Sequence, residues 1–422
     1  MQGGQLTLSA GTRRGVAGDP VAGVIEEVRL GSVTAVVSAA CNLRCRYCYQ
    51  NRHTAGPMTW PVLRAAIDRL LAGPDGDRSL LFTGGEPLLS FPLIEKAVGY
   101  VKRRRLHGRR VTYDISTNGT LVRRRHVAFF AANRFAVQLS FDGVPAAQAI
   151  RGKGTFAALD ALLDLIRAEE PALFRHRLRV AVTVTRDVLP YLAGSVDYLL
   201  SKRVHEITLA PDLRPDVQWT ASEGETLDRQ MAGVFASSLH HYRRTGDVPL
   251  LLFRKSGDER PIAARRGPVC RAAEGGRITV DVDGQVYACP MLAESFQVFP
   301  DTPLRERLAA MHLGDIRDAA FPARLRALPE AARRSGIFHH SAEKYSSRGR
   351  CARCRFRSAC TICPVPVARD VARADSNRVL DHLCEFNRIA LSYRARFPRQ
   401  VSALDVLSGR ASFASFLSGV RS

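Results

Sequence analysis

The chain has 422 residues, enough for two domains that each bury a core. Hydrophobic residues at 46% and charged residues at 24% are globular proportions, and no run of about 18 apolar residues offers a membrane-spanning helix. The formal charge of +22 comes from 62 basic residues, six of them lysine. No block interleaves aromatics with the arginines, so they read as a dispersed surface of a GC-rich gene rather than a nucleic-acid face. Even the densest run, Lys102 to Arg105, reads as the solvated end of a helix. Met1 to Val16 lacks the apolar core of a secretory signal, which leads to the expectation of a cytoplasmic protein. In that compartment the ten cysteines are expected as thiols at metal-ligand spacing, not as disulfides.

Taken in chain order, residues 1–31 form an N-terminal extension, and Val33 to Val37 reads as a strand running into a cysteine loop. Thr59-Trp60-Pro61 is a helix start, a cap with proline near the first turn, and the helix should reach about Ala72. Leu80 to Thr83 is a buried strand ending at Gly84-Gly85; a helix over Leu93 to Arg105 and a strand over Val111 to Ser116 follow. Next come a helix near Arg123 to Ala132 and the strand Ala136 to Phe141. Thr155 to Ala168 is helical, Leu178 to Val184 a strand, Val196 to Ser201 helical, and Ile207 to Leu209 a strand. Repeated β–α units imply a parallel sheet, open or barrel-like. A helix near Glu223 to Tyr242 closes a first domain, 32–245, and a Gly/Pro/Arg-rich linker spans 246–269. The second domain, 270–400, carries seven cysteines with little regular periodicity, so its packing should depend on bound metal; 401–422 is a tail.

The chemistry centres on Cys41, Cys45 and Cys48, spaced C-x3-C-x2-C with Tyr47 before the third. Three thiolates on one tight loop can hold three irons of a [4Fe–4S] cube and leave the fourth open to a small molecule, although zinc would also accept such a set. Context favours iron–sulfur. Catalytic groups of β/α architectures gather at the C-terminal ends of strands. There the cysteine loop is joined by Gly84-Gly85-Glu86-Pro87, Ser116-Thr117-Asn118-Gly119 and Ser140-Phe141-Asp142-Gly143.

Over about Ser32 to Thr208 these motifs resemble the radical S-adenosylmethionine (SAM) enzymes, which implies an α/β fold with a partial (β/α)6 barrel. The resemblance assigns Cys41, Cys45 and Cys48 to the cluster whose open iron SAM chelates. It places Tyr47 near the adenine, and Gly84, Gly85, Glu86 and Pro87 where SAM's amino group is received. Thr117, Asn118 and Ser140 would lie near the ribose and carboxylate, Arg151 would pair with that carboxylate, and Val182 would be an apolar adenine contact. It names no residue for the final proton or electron transfer. The later cysteines, Cys270, Cys289, Cys351, Cys354, Cys360, Cys363 and Cys384, resemble a SPASM domain with two auxiliary [4Fe–4S] clusters, three clusters in all. By that analogy Cys351, Cys354, Cys360 and Cys384 close one, and Cys270, Cys289 and Cys363 hold the other. Seven thiolates are one short of two closed sets, so the second cluster has another ligand or an open iron. The final cysteine pair is spaced x2 where the family pattern has x3, a departure at Cys363.

The activity implied is a 5′-deoxyadenosyl radical abstracting hydrogen from a ribosomally made peptide, forming a crosslink, a thioether or another oxidation. The partners implied are a precursor peptide and an electron donor such as flavodoxin or ferredoxin. No stretch of about 80 residues precedes Cys41, so leader recognition is expected from a separate leader-binding protein or from direct capture. A rival is formylglycine formation by an anaerobic sulfatase maturase. Those enzymes carry an aspartate after the second SPASM cysteine, and Pro290 stands here. Two weaker rivals are RNA modification, which the basic charge would serve, and a zinc-dependent interaction protein.

Overall fold

Strand β1 (Ser32–Ser38) reads Ser-Val-Thr-Ala-Val-Val-Ser and is buried along almost its whole length, as suits the middle of a parallel sheet. The chain is described here from a computed structural model, over residues 30–50, 56–72, 76–104, 106, 109–214, 217–255, 271–296, 309–335, 351, 353–357, 359–360, 362–363 and 379–399. The expected N-terminal extension, most of the linker, Cys270 and the tail lie outside these residues.

After β1 come β2 (Arg78–Gly84), β3 (Val111–Thr117), β4 (Ala136–Ser140), β5 (Leu178–Val184) and β6 (Glu206–Pro211). Helices α1 (Trp60–Ala72), α2 (Phe91–Lys102), α3 (Arg124–Ala132), α4 (Thr155–Glu169), α5 (Pro171–His176) and α6 (Leu192–Ser201) fill the connections, as parallel pairing requires. All five pairings are parallel and in sequence order. In α1 the Thr59 carbonyl accepts from Leu63 N–H at 3.1 Å. The helix buries Val62, Leu63, Ala66, Ile67 and Leu70, one stripe at helical spacing. Alternation decides the faces of the sheet. Leu80, Phe82, Tyr113, Ile115, Val137, Leu139, Val180 and Val182 are buried in one continuous core. Phe135 stacks between Phe82 and Tyr113 at 6.1 and 5.2 Å, and burying such a ring stabilises by about 1.5–3 kcal/mol. The alternate positions Asp114, Ser116, Gln138, Arg179 and Thr183 stay partly or fully open.

Helix α7 (Ala221–Thr245) starts with a capping box between Thr220 and Glu223 and stops at Gly246, whose φ of 77° is left-handed. The cysteine-rich stretch is more regular than its sequence suggests. Its strands β7 (Arg277–Val280), β8 (Gln285–Tyr287) and β9 (His312–Asp315) extend the same sheet to nine, in the order β6-β5-β4-β3-β2-β1-β7-β8-β9. β7 pairs parallel with β1, Ser32 opposite Arg277, and the last two strands are antiparallel. Two more helices follow, α8 (Phe321–Ser335) and α9 (Asp381–Arg396). The end of α9 packs on α7, with Phe235 meeting Tyr393 at 5.8 Å and Tyr242 meeting Phe397 at 5.9 Å. No described helix is long and apolar enough to cross a membrane.

Candidate active site

Strand β1 ends where its neighbour ends, and there the cysteine loop begins. Gly85 N–H donates to the Ser38 carbonyl at 2.8 Å and Glu86 N–H to the Ala40 carbonyl at 2.9 Å. This stitches the Gly84–Pro87 turn to the root of the loop. Both glycines are required by the close approach. A Cβ on Gly84, whose φ is 143°, would stand 2.0 Å from the Ser38 oxygen, and one on Gly85 2.3 Å from the Ala40 oxygen. Gln50, just beyond the loop, donates its amide to the Gly84 carbonyl at 2.5 Å. Nothing in the sequence singles out Gln50.

The three thiols lie near enough to act on one another's charge, although among the described residues no three ligands close to metal-binding distance. Cys48 N–H closes a tight turn onto the Cys45 carbonyl at 3.1 Å, and Leu43 N–H points at Cys41 Sγ from 3.4 Å. Burial pushes the Cys45 thiol up; Arg151 pulls it down, and the adjacent Cys48 and Cys41 raise it again. Thiols that oppose each other's ionisation, with a guanidinium beside them, are a donor set suited to a cationic cluster. Asn118 reaches the same place from the end of β3. Its amide lies 3.7 Å from Cys41 Sγ and donates to the Asn42 side chain at 2.9 Å, and Asn42 in turn donates to Thr120 at 2.8 Å.

Glu86 is fully buried and caps the short helical turn Pro87–Ser90. Its carboxylate accepts from Thr117 Oγ1 at 2.7 Å, Asn118 N–H at 2.8 Å and Leu88 N–H at 3.1 Å. Burial raises its pKa to about 6, against the lowering effect of those three bonds. So Glu86 and Thr117, expected beside SAM, are bonded to each other and lock the β2 and β3 loops together.

A second buried network lies under Tyr47. The Tyr47 hydroxyl donates to Asp142 Oδ2. Arg151 Nη2 donates to Asp142 Oδ1 at 2.9 Å and to Thr183 Oγ1 at 3.1 Å, and the guanidinium covers the Tyr47 ring at 5.2 Å. Thr183 N–H also donates to Asp142 Oδ1, at 2.8 Å, and Asp142 N–H to Gln148 at 2.9 Å. Burial works against the Arg151 charge, but Asp142 and then Tyr47 outweigh it and raise its pKa. Arg151 is therefore not a surface charge; it is paired within the chain. Its Nε also sits 2.9 Å from Asp142 Oδ2, so the carboxylate faces the guanidinium at two atoms. Asp142 belongs to the Ser140–Gly143 motif, and an acidic residue just past a buried strand is the one signal of its role in the sequence. Ser140 ends β4, partly exposed, on the face opposite Leu139. Val182, expected as an apolar adenine contact, is fully buried in the hydrophobic core, while Ala181 and Thr183 take the other face.

The C-terminal cysteines fall into two places. Cys351, Cys354, Cys360 and Cys384 line one cavity of about 460 Å³, together with Arg353, Arg357 and Arg388. Cations there suit an anionic thiolate cluster. Cys289 and Cys363 instead pack against the main core, and Cys270 lies outside the described residues. Cys289 is close enough to Tyr49, the residue after Cys48, to raise its pKa alongside burial and Cys48. Tyr49 also meets Phe296 at 5.9 Å between ring centres. From the first cavity a short connection runs to the radical loop. His382, on the first turn of α9, meets the Asp212 carbonyl at 2.9 Å. Arg214 grips the Asp212 carboxylate at 2.7 Å and donates to the Arg46 carbonyl at 3.3 Å.

Comparison with known proteins agrees with this geometry. A 258-residue stretch is 29% identical to an uncharacterized protein of Methanocaldococcus jannaschii, covering 61% of this chain and 83% of that one. Over 275 residues the chain is 28% identical to the serine-type anaerobic sulfatase-maturating enzyme of Klebsiella aerogenes, covering 61% of this chain and 65% of the enzyme. The chain thus spans just under two thirds of that enzyme's length. The fold is that of native anSMEcpe with bound AdoMet and Cp18Cys peptide. The TM-score is 0.66 at 19% identity, covering 90% of this chain and 99% of that one. Residues 35–171 match the radical SAM superfamily, a stretch that contains the cysteine loop, the glycine turn and the buried Asp142–Arg151 pair. With that match laid on this fold, residues 35–171 form a radical SAM domain.

Proposed function

We propose that the enzyme carries out an oxidative modification of a ribosomally made peptide, a crosslink, a thioether or another two-electron change at a side chain. In this reading Cys41, Cys45 and Cys48 hold the SAM-binding [4Fe–4S] cluster, and cluster and SAM together supply a radical able to take hydrogen from carbon. Asn118 and Arg151 approach that place. Asp142 holds Tyr47 and Arg151 in one orientation, and Glu86 fixes the two loops that bound the site. Cys351, Cys354, Cys360 and Cys384 would hold one auxiliary cluster of a SPASM domain, and Cys270, Cys289 and Cys363 a second. The remaining partners would be a flavodoxin- or ferredoxin-like donor and a leader-binding protein, in the cytoplasm.

The observation that carries the proposal is the contact of Tyr49, next to Cys48, with Phe296, at 5.9 Å between ring centres, at the end of the short segment that begins at Cys289. Removing one hydrogen atom leaves a substrate radical; a closed-shell oxidised product needs a second electron taken away nearby. An auxiliary cluster on Cys289 would be placed to take it. The test is anaerobic incubation with SAM, a reductant and the short peptides encoded beside the gene, read by mass. Loss of two hydrogens is expected, and Cys289→Ala should abolish it while SAM cleavage continues. Full peptide turnover by Cys289→Ala would overturn the reading. Formylglycine formation is the second reading, supported by kinship with the Klebsiella maturase. Pro290 follows Cys289 in the chain and supplies no base, so a sulfatase-derived peptide is expected to remain unmodified.

A further inference from the structure

We infer that a basic cleft at the end of the barrel opposite the cysteine loop docks an acidic segment of the peptide substrate. The inference rests on the peptide reading and adds where part of that peptide is held. Helices α5, α6 and α7 all finish at this end, next to the start of β6, around a cleft of about 930 Å³. Its walls carry five Lys or Arg side chains and three histidines, against a single carboxylate, Asp247.

Three helix C-termini account for some of that charge, since each carries about half a negative charge. They do not account for all of it. Arg254 is paired with Glu206 at 3.2 Å, and Lys255 is bound to the carbonyls of Ala395 and Phe397. Arg203 and Arg244 are exposed and make no ion pair with any described residue. His205 and His241 are held below the ordinary imidazole value, by burial first and then by Arg254 and Arg244 respectively. They remain largely neutral donors near pH 7 instead of adding to the repulsion. The net field is positive and faces solvent.

The chemistry favours carboxylates on an extended chain. No Phe, Tyr or Trp lines the cleft, so the large rings on which single-stranded nucleic acid chiefly stacks its bases are absent. Arg203 and Arg244 come from different helices' ends and present separate forks, which suits carboxylates spaced along a peptide. Distance sets a further condition. Parallel strand β6 runs six residues from Glu206 beside the cleft to Pro211 beside Asp212 and the radical loop, roughly 20 Å at about 3.3 Å per residue. A peptide anchored here must therefore place at least about six extended residues between its acidic segment and the reacting carbon.

The test is fluorescence anisotropy of labelled octaglutamate with the full, cluster-loaded enzyme, anaerobic and at two salt concentrations. Binding that weakens with salt is expected. The double reversal Arg203→Glu with Arg244→Glu should weaken it at least ten-fold with iron content and SAM cleavage unchanged. Equal affinity of parent and double variant, absence of binding at low salt, or tighter binding of labelled oligouridylate would each overturn the proposal. Octaglutamate binding lost in the variant, alongside no mass change in any peptide, would place the failure in the peptide reading instead.

Discussion

Gly85→Ala probes the fit on which the radical loop depends. The added Cβ would stand 2.3 Å from the Ala40 oxygen, 2.6 Å from its carbon and 2.7 Å from the Ala39 oxygen. Ordinary contact begins near 3.4 Å, so the glycine turn and the root of the cysteine loop must part by about 1 Å. Each neighbour is backbone in a paired region, and no side-chain rotation relieves the clash. Overpacking of this kind costs about 1–3 kcal/mol. The hydrogen bonds from Gly85 and Glu86 to Ser38 and Ala40 lengthen with it, at about 1 kcal/mol each. A total of about 3–5 kcal/mol falls on the segment that sets the Cys41 thiol. The assay is the electron paramagnetic resonance spectrum of the reduced protein and its change on adding SAM, with iron measured per chain. Gly85→Ala should lose the SAM-responsive signal and hold less iron. Gly56→Ala, where nothing lies within 4 Å of the new Cβ, is the control and should match the parent. If Gly85→Ala shows the parent's SAM-dependent change at parent intensity, the close-approach reasoning is wrong.

Glu86 should make stability depend on pH. Its folded pKa of about 6 lies above the usual 4.5, so the folded state holds the proton more tightly. This contribution is complete below about pH 4.5 and is lost as pH rises through 6, by about 2 kcal/mol in all. Urea unfolding between about pH 5 and 7 should show that slope, and Glu86→Gln should flatten it; a slope unchanged in Glu86→Gln would refute the assignment. Asp142→Asn leaves the Arg151 charge buried and unpaired, and should destabilise by about 3–5 kcal/mol in the same experiment. A loss below 1 kcal/mol would mean that water reaches Arg151. Cys354→Ala should remove up to about four irons per chain while the SAM-responsive signal persists, because its cavity is separate from the radical loop. Full iron content in that variant would deny the cavity its cluster.

The barrel is legible because each strand is a short β-branched run between amphipathic helices. The expected helix from Trp60 to about Ala72 is found over those residues, and Leu178–Val184 likewise. Strands β3 to β5 add an alternation of buried and open residues, a period of two that a helix does not share. Strands β7 to β9 escape a sequence reading because three or four residues are too few to show a period. Helix α8 carries an internal Pro329, which argues against helix in sequence. In the site, residue types are readable but partners are not. Glu86 in a glycine turn reads equally as a ligand contact or a cap, and only the approach of Thr117 and Asn118 decides what its oxygens accept. Val182 and Thr183 are adjacent letters, and one residue of strand phase separates the core from the network around Arg151.

The pairing of β7 with β1 has a consequence for synthesis. Strand β1 ends at Ser38, and its second neighbour begins at Arg277, roughly 240 residues later. At about 5–20 residues per second, β7 is translated about 12–50 seconds after β1. Through that interval the strand that carries the cysteine loop can be bonded by β2 on one edge and has the other edge open, a surface prone to pairing with foreign strands. Cluster insertion should therefore succeed best on completed chains, and a stalled or truncated product should expose its iron-binding loop beside an unpaired edge.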